Sequence, residues 1–89
     1  MEVLSGFEVI SKWCESHPNG VLVSTKINQR KGTYTQHLAT CNMFRKHNWQ
    51  DGPGTYYCYE NDAEVASRAE GDGIANRNLC GRPGINCYR

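Results

Sequence analysis

The sequence has few of the residues that build a large hydrophobic core. Hydrophobic residues make up 38% of its 89 positions, and aromatic residues make up 10%. A domain this short buries only about 60–65% of the surface that its unfolded chain exposes, so core burial alone gives a small stability margin. No apolar run approaches the roughly 18 residues that a membrane-spanning helix needs. We therefore predict no membrane span and a single domain over residues 1–89, which needs stabilisation beyond its core.

Motifs of several common classes of protein are also missing. The chain has no CxxC pair, so a redox dithiol or a zinc knuckle has no support. The segment Gly71-Asp72-Gly73 lacks the GxxxxGKS/T frame of a phosphate-binding loop, and its aspartate would repel phosphate. None of the eight asparagines lies in an N-x-S/T sequon. We predict no cofactor, no metal centre and no N-linked glycan.

Charge of one sign is not in excess. The net charge of +1 at pH 7 argues against a dedicated nucleic-acid binder. Short basic clusters lie at residues 26–31 and 45–47, and five acidic residues fall within residues 60–72. Clusters of this size are typical of solvated loops, so we predict no nucleic-acid partner.

The chain does have five cysteines, which are Cys14, Cys41, Cys58, Cys80 and Cys87. Small secreted domains replace missing core with disulfides, each worth roughly 2–4 kcal/mol. We predict two bridges and one odd cysteine, which stays a thiol or pairs with another segment or with a second copy of the chain as a homodimer. Fifteen pairings of this kind are open. Five buried, reduced cysteines in a cytosolic protein are the alternative.

The N-terminal residues do not form a secretory signal. Residues 1–8 lack a basic start, and Glu2 and Glu8 bracket too short an apolar run. The chain is then either cytosolic, or a mature region whose leader is absent and to which Met1 was added. The cysteine content favours the second explanation, so we predict a secreted protein.

Local patterns in the first half predict two strands and a helix. Residues 7–16 alternate apolar and polar side chains, which predicts a strand that carries Cys14. A Pro-Asn-Gly turn and a β-rich arm at residues 21–27 follow. Thr33 and Gln36 have the spacing of a capping box, which predicts that a helix begins at Thr33.

The second half predicts a strand, a helix and a final strand. Residues 55–59 are aromatic and β-branched, as in strands. Asn61 and Glu64 form an N-cap pair that opens a helix over residues 62–80, broken at its Gly-Asp-Gly segment. Residues 85–88 are predicted to form a last short strand. This order of elements predicts an α+β fold.

The order of the cysteines along these elements resembles a known family. The matching segments span residues 13–87 and are Trp13-Cys14, Asn19-Gly20, Leu38-Ala39-Thr40-Cys41, Asp51-Gly52, Tyr57-Cys58, Leu79-Cys80 and Gly84-Ile85-Asn86-Cys87. The layout is similar to that of the virally encoded killer toxins of smut fungi and the killer-toxin-like secreted effectors of plant-pathogenic fungi. The resemblance implies a disulfide-stabilised two-layer sandwich, with a four-stranded antiparallel sheet and two helices on one face. It also implies a secreted protein that acts on a competing fungus or a host plant.

Candidate catalytic groups have no support from the residues around them. His37 and Cys41 are four apart, a spacing that could give two metal ligands, but no third ligand stands at a useful spacing. The same two residues could form a Cys–His nucleophile, but no flanking motif supports its activation. His37 or His47 with Glu60 supplies the residue types of a ribonuclease, and nothing fixes their geometry. We predict no catalytic residue and no enzyme activity.

The candidates for contact with a partner are aromatic, namely Trp49, Tyr56, Tyr57 and Tyr59. In a strand, Tyr57 and Tyr59 share one face and Tyr56 takes the other with Cys58; buried members pack the core, and exposed members can anchor a partner. The predicted function is a small secreted effector or killer-toxin-like protein that binds a host or competitor protein or cell surface. A small secreted ribonuclease-like hydrolase and a cytosolic thiol-containing adaptor are the alternatives.

Overall fold

A computed structural model of the chain describes residues 1–27, 29–30, 32–40 and 54–79. These residues form five strands and two helices, which are β1 (Glu2–Ser5), α1 (Phe7–Ser16), β2 (Val21–Ser24), β3 (Tyr34–Leu38), β4 (Thr55–Tyr59), α2 (Asp62–Arg68) and β5 (Arg77–Leu79). The predicted α+β class is therefore confirmed. Of the described helices, neither has the length and hydrophobicity to cross a membrane. The predicted strand at residues 85–88 lies outside the described residues.

The five strands form one mixed sheet in the order β1-β4-β2-β3-β5. The first four strands of this order pair with one another in antiparallel fashion, and β4 lies between β1 and β2 with Cys58 opposite Glu2 and Leu22. The edge strand β5 runs parallel to β3. The expectation of four antiparallel strands is therefore wrong in two respects, because the described part of the sheet has a fifth strand and that strand is parallel.

The first long segment is a helix, so the strand predicted at residues 7–16 is wrong. Ile10, Trp13 and Cys14 are buried, and their spacing of three and four residues places them on one face of α1. Gly6 precedes the helix with φ 95°, a left-handed conformation that glycine adopts without a steric penalty. The apolar and polar alternation of this segment is thus incidental to a helical face that begins at Ile10.

The two helices cover opposite faces of the sheet. One buried cluster joins Ile10 and Trp13 of α1 to Leu22 and Cys58. A second buried cluster combines the α2 residue Val65 with strand residues on the other face, which are Val21, Val23 and Tyr59. Since successive strand residues point to opposite faces, these clusters make three layers, helix, sheet and helix. The expected two-layer arrangement, with both helices on one face, is wrong.

Residues 34–38 are the strand β3 and not the start of a helix. Gln36, the expected capping partner, lies opposite Val23 of β2 and accepts a hydrogen bond from Nε of Arg77 at 2.7 Å. The hydroxyl of Thr33 has no hydrogen-bond partner among the described residues, so it does not cap a helix there. Pairing with β2 and β5 satisfies the backbone of this segment, and this pairing outweighs the local capping pattern.

The second helix begins as predicted and ends earlier. The backbone N–H of Glu64 donates a hydrogen bond of 2.8 Å to Oδ1 of Asn61, which confirms the N-cap. The helix stops at Arg68, ahead of the Gly-Asp-Gly segment that predicted the break, and Gly73 has φ 78°. The sequence predicts that the helix resumes after this break. This prediction is wrong, because residues 77–79 form β5.

The close contact between Trp13 and Gly20 gives a stability prediction. A Cβ atom at Gly20 would lie 2.6 Å from two atoms of the Trp13 ring and 2.9 Å from the carbonyl oxygen of His17. Because the ring is held in the core, we expect Gly20→Ala to lower the free energy of unfolding by about 2 kcal/mol, measured by urea denaturation.

The matched control is Gly71→Ala. A Cβ at Gly71 would meet only the carbonyl oxygen of Arg68, at an ordinary distance of 3.7 Å. This substitution should leave stability within about 0.5 kcal/mol of the parent. Equal effects of the two substitutions would contradict the packing described for Trp13.

Candidate functional site

A pocket of about 150 Å³ lies at the end of the sheet where β1 begins and β4 ends. It collects side chains from both helices and from the two strands between them. The lining residues are Met1, Glu2, Trp13, His17, Cys58, Glu60 and Glu64. The sequence segments that supply them are distant along the chain, so only the tertiary fold makes this site.

Three carboxylates form the charged part of the pocket. Glu2 begins β1 opposite Cys58, and Glu60 directly follows β4, so both are fixed by the pairing of these strands. Glu64 comes from the first turn of α2 and lies 3.3 Å from the amino group of Met1. The pocket is therefore lined by three carboxylates and one ammonium group, and this excess of negative charge makes it attractive to a cation.

The opposite wall is aromatic. The rings of Trp13 and His17 stack with centroids 4.3 Å apart and planes 13° from parallel. Nδ1 of His17 donates a hydrogen bond of 2.8 Å to the carbonyl oxygen of Trp13, which fixes the ring at the end of α1. Trp13 is 7% exposed and His17 covers one face of its indole, so only a small part of the ring borders the pocket beside the carboxylates.

Cys58 lines the inner end of the pocket and is only 2% exposed. Burial, followed by the charges of Cys14 and Glu2, raises the pKa of its thiol to about 12. A thiol with this pKa is protonated at neutral pH, and the thiolate is the form that acts as a nucleophile. Cys58 therefore contributes to the shape of the pocket and not to nucleophilic chemistry there.

His37 lies away from this pocket, in the interior of the sheet. It occupies β3 opposite Leu22, is 6% exposed, and meets Tyr56 edge to face at 5.9 Å between centroids. Burial lowers the pKa of its ring from 6.5 to about 4. His37 is thus neutral at pH 7 and is a core residue.

The sequence-based catalytic pairs are not assembled in the part of the chain that the structure describes. Glu60 lines the pocket and His37 does not, so the first ribonuclease pair is not brought together there. Cys41 and His47 lie outside the described residues. Among the residues described, no group of three or more metal-binding side chains could hold a metal ion.

The aromatic candidates for partner contact have different positions. Tyr59 is fully buried and its hydroxyl donates a hydrogen bond of 2.7 Å to Asp72, so we assign it to the core. Tyr56 and Tyr57 are half-buried and pack on opposite faces, as the alternation of a strand predicts. Trp49 lies outside the described residues.

The disulfide candidates are described only in part. Cys14 and Cys58 are both buried thiols in the same cluster. Cys41, Cys80 and Cys87 lie outside the described residues.

Comparisons with protein-family models, with curated proteins and with solved structures give no match. The resemblance of the cysteine layout to killer toxins therefore stays a prediction. The carboxylates of the pocket were not found from the sequence, because Glu2, Glu60 and Glu64 carry no motif. The spacing of Trp13 and His17 by four residues indicates a shared face only on a helix, and the predicted strand over residues 7–16 conceals it.

The buried His37 gives a pH prediction. Because the pKa is lowered to about 4 in the folded state and is near 6.5 when unfolded, the unfolded chain binds the proton first as the pH falls. The contribution of His37 to stability is complete above pH 6.5 and is lost as the pH falls toward 4, by up to about 3 kcal/mol.

Urea denaturation between pH 7 and pH 4 measures this effect. The control is the variant His37→Gln. The carboxylates titrate in both proteins, so the difference between parent and variant isolates the effect of His37 on the pH dependence of stability. We expect a smaller loss of stability with acid in the variant. A loss of the same size in both proteins would show that the buried imidazole is not the group responsible.

Proposed function

We propose that this protein is a small secreted effector of the killer-toxin-like type, which acts by binding a protein on the surface of a host or competitor cell. The observation that carries the proposal is the pocket lined by Glu2, Glu60 and Glu64 beside Trp13. A concave site with a few convergent charged groups is the usual form of a recognition site.

The chemistry of the pocket selects the kind of group that it binds. The pocket is lined by three carboxylates, of which Glu64 is paired with the amino group of Met1, so its net negative charge favours a cation; the margin of the Trp13 indole borders the same volume. A volume of about 150 Å³ accommodates one side chain and not an extended ligand. We propose that the pocket receives a lysine or arginine side chain presented by the partner protein.

Binding is a better proposal than catalysis because the pKa shifts of His37 and Cys58 keep both side chains uncharged at neutral pH. His37 has its pKa lowered to about 4 and Cys58 has its pKa raised to about 12. A general base needs a pKa near the working pH, and a nucleophilic cysteine needs a depressed one. These shifts are the reverse of what catalysis at neutral pH requires.

The proposal includes a secreted location and stabilisation by two disulfides. Two observations support this part of the proposal. The chain has five cysteines, and its small hydrophobic core is divided between the two faces of the sheet. The fifth cysteine then stays a thiol or joins two copies of the chain.

The pocket is tested by removing its charge. We expect the combined change Glu2→Gln, Glu60→Gln and Glu64→Gln to lower binding of fluorescently labelled protein to intact fungal cells or plant cell-wall preparations. The expected loss is about tenfold or more, equivalent to ~1.4 kcal/mol. Added salt should weaken binding of the parent, since attraction between partly exposed charges is screened.

A matched control separates the pocket from net charge. The change Glu8→Gln, Glu15→Gln and Glu70→Gln alters the net charge by the same amount at exposed positions outside the pocket. Binding of this variant should equal that of the parent. Equal losses in the two triple variants, or no binding of the parent to either preparation, would refute the proposal.

A further inference from the structure

The two described cysteines share one buried cluster. Cys14 lies on the buried face of α1, and Cys58 lies on the face of β4 that α1 covers. Their exposed fractions are 8% and 2%, and Ile10, Trp13 and Leu22 belong to the same cluster. The two thiols thus belong to one buried cluster between α1 and β4, where Sγ of Cys58 donates a weak hydrogen bond of 3.8 Å to the carbonyl oxygen of Tyr56.

We propose that Cys14 and Cys58 form a disulfide that ties α1 to β4. A separate sign of their proximity is that the charge of Cys14 contributes to the raised pKa of Cys58. The inference rests on the proposed secreted and disulfide-stabilised state, and the partner of the pocket does not enter it.

The bridge would fix the two walls of the pocket to each other. α1 carries Trp13 and ends directly before His17, and β4 carries Cys58 and leads directly to Glu60. The bridge also closes a loop of more than forty residues, and in the loop-entropy account a longer loop means greater stabilisation. A small pocket made from distant segments needs such a constraint to keep its shape.

A small-molecule disulfide, such as oxidised glutathione, serves as the oxidant for this bridge. One cysteine thiolate attacks a sulfur of the oxidant, which forms a mixed disulfide and releases one glutathione thiol. The second cysteine attacks the protein sulfur of the mixed disulfide and releases the second glutathione thiol. The protein loses two electrons and two protons, and both are taken up by the two released thiols.

The folded state hinders the first of these steps. Because burial raises the pKa of Cys58 to about 12, little thiolate forms once the core is closed. The bridge should therefore form while the reduced chain refolds in a glutathione redox buffer, and slowly when oxidant is added to the folded thiol form.

The pairing also reduces the choice for the other cysteines. Once Cys14 is joined to Cys58, a second bridge must come from Cys41, Cys80 and Cys87. Three pairings then remain of the fifteen that the sequence allows.

Peptide mapping of the unmodified sequence tests the pair. Trypsin cleaves after lysine and arginine, so Cys14 falls in residues 13–26, Cys58 in residues 47–68, and Cys41 in residues 32–45. Cys80 and Cys87 remain together in residues 78–89, because Pro83 protects the bond after Arg82. After refolding in the redox buffer, remaining thiols are alkylated and the digest is analysed by mass spectrometry without reductant.

The expected result is a linked species of residues 13–26 and 47–68, which separates on reduction and accounts for most of the Cys14 recovered. The control is oxidation in concentrated denaturant, where nearness along the chain favours Cys80 with Cys87 and the linked species should be minor. A linked species equally abundant in denaturant would mean that the fold does not select this pair, which overturns the inference.

Two further outcomes would overturn it in different ways. Bridges from Cys14 or Cys58 to the other cysteines would reject this pair and leave the secreted, disulfide-stabilised state standing. Alkylation of all five cysteines after oxidative refolding would reject both the pair and the disulfide-stabilised state. Neither outcome bears on the glutamate variants, whose binding to cells is a separate measurement.

Discussion

The structure depends on the burial of its central strand on both faces. Val21, Leu22 and Val23 of β2 are all completely buried, and β2 lies between β4 and β3. A strand in this position exposes side chains above and below the sheet, so each face needs its own cover. α1 supplies one cover and α2 the other, and the positions of both helices follow from this requirement.

The elements that could be predicted from the sequence are those whose local signal agrees with their tertiary partners. The aromatic run of β4, the continuous apolar run of β2 and the N-cap at Asn61 are all local features that the fold retains. β3 was not predictable in this way, because the capping pattern of Thr33 and Gln36 competes with pairing to a strand distant in sequence. A local pattern does not report the stabilisation that β3 gains from pairing with β2 and β5, because this stabilisation arises only in the assembled sheet.

The misassigned first helix has a more specific cause. Residues 7–16 contain both an alternating pattern and a helical pattern, and Ile10 distinguishes them. Ile10 breaks the alternation and is fully buried, together with Trp13 and Cys14 at helical spacing. The strand prediction also conceals the aromatic part of the site, since Trp13 and His17 stack only because α1 brings residues four apart onto one face. The sequence does not predict that Glu2, Glu60 and Glu64 line one pocket, because they come from the start of β1, the end of β4 and the first turn of α2, which only the tertiary fold brings together.

The hydrophobic core is divided between the two faces of the sheet, and this division limits how firmly each helix is held. Among the described residues, each cluster contains six buried members, so neither face has the depth of a single core of twelve. α1 is held by three buried side chains, and one of them, Trp13, lines the pocket together with Glu60. The proposed disulfide from α1 to β4 would hold Trp13 in place relative to Glu60, and it would do so without adding apolar area that the sequence does not have.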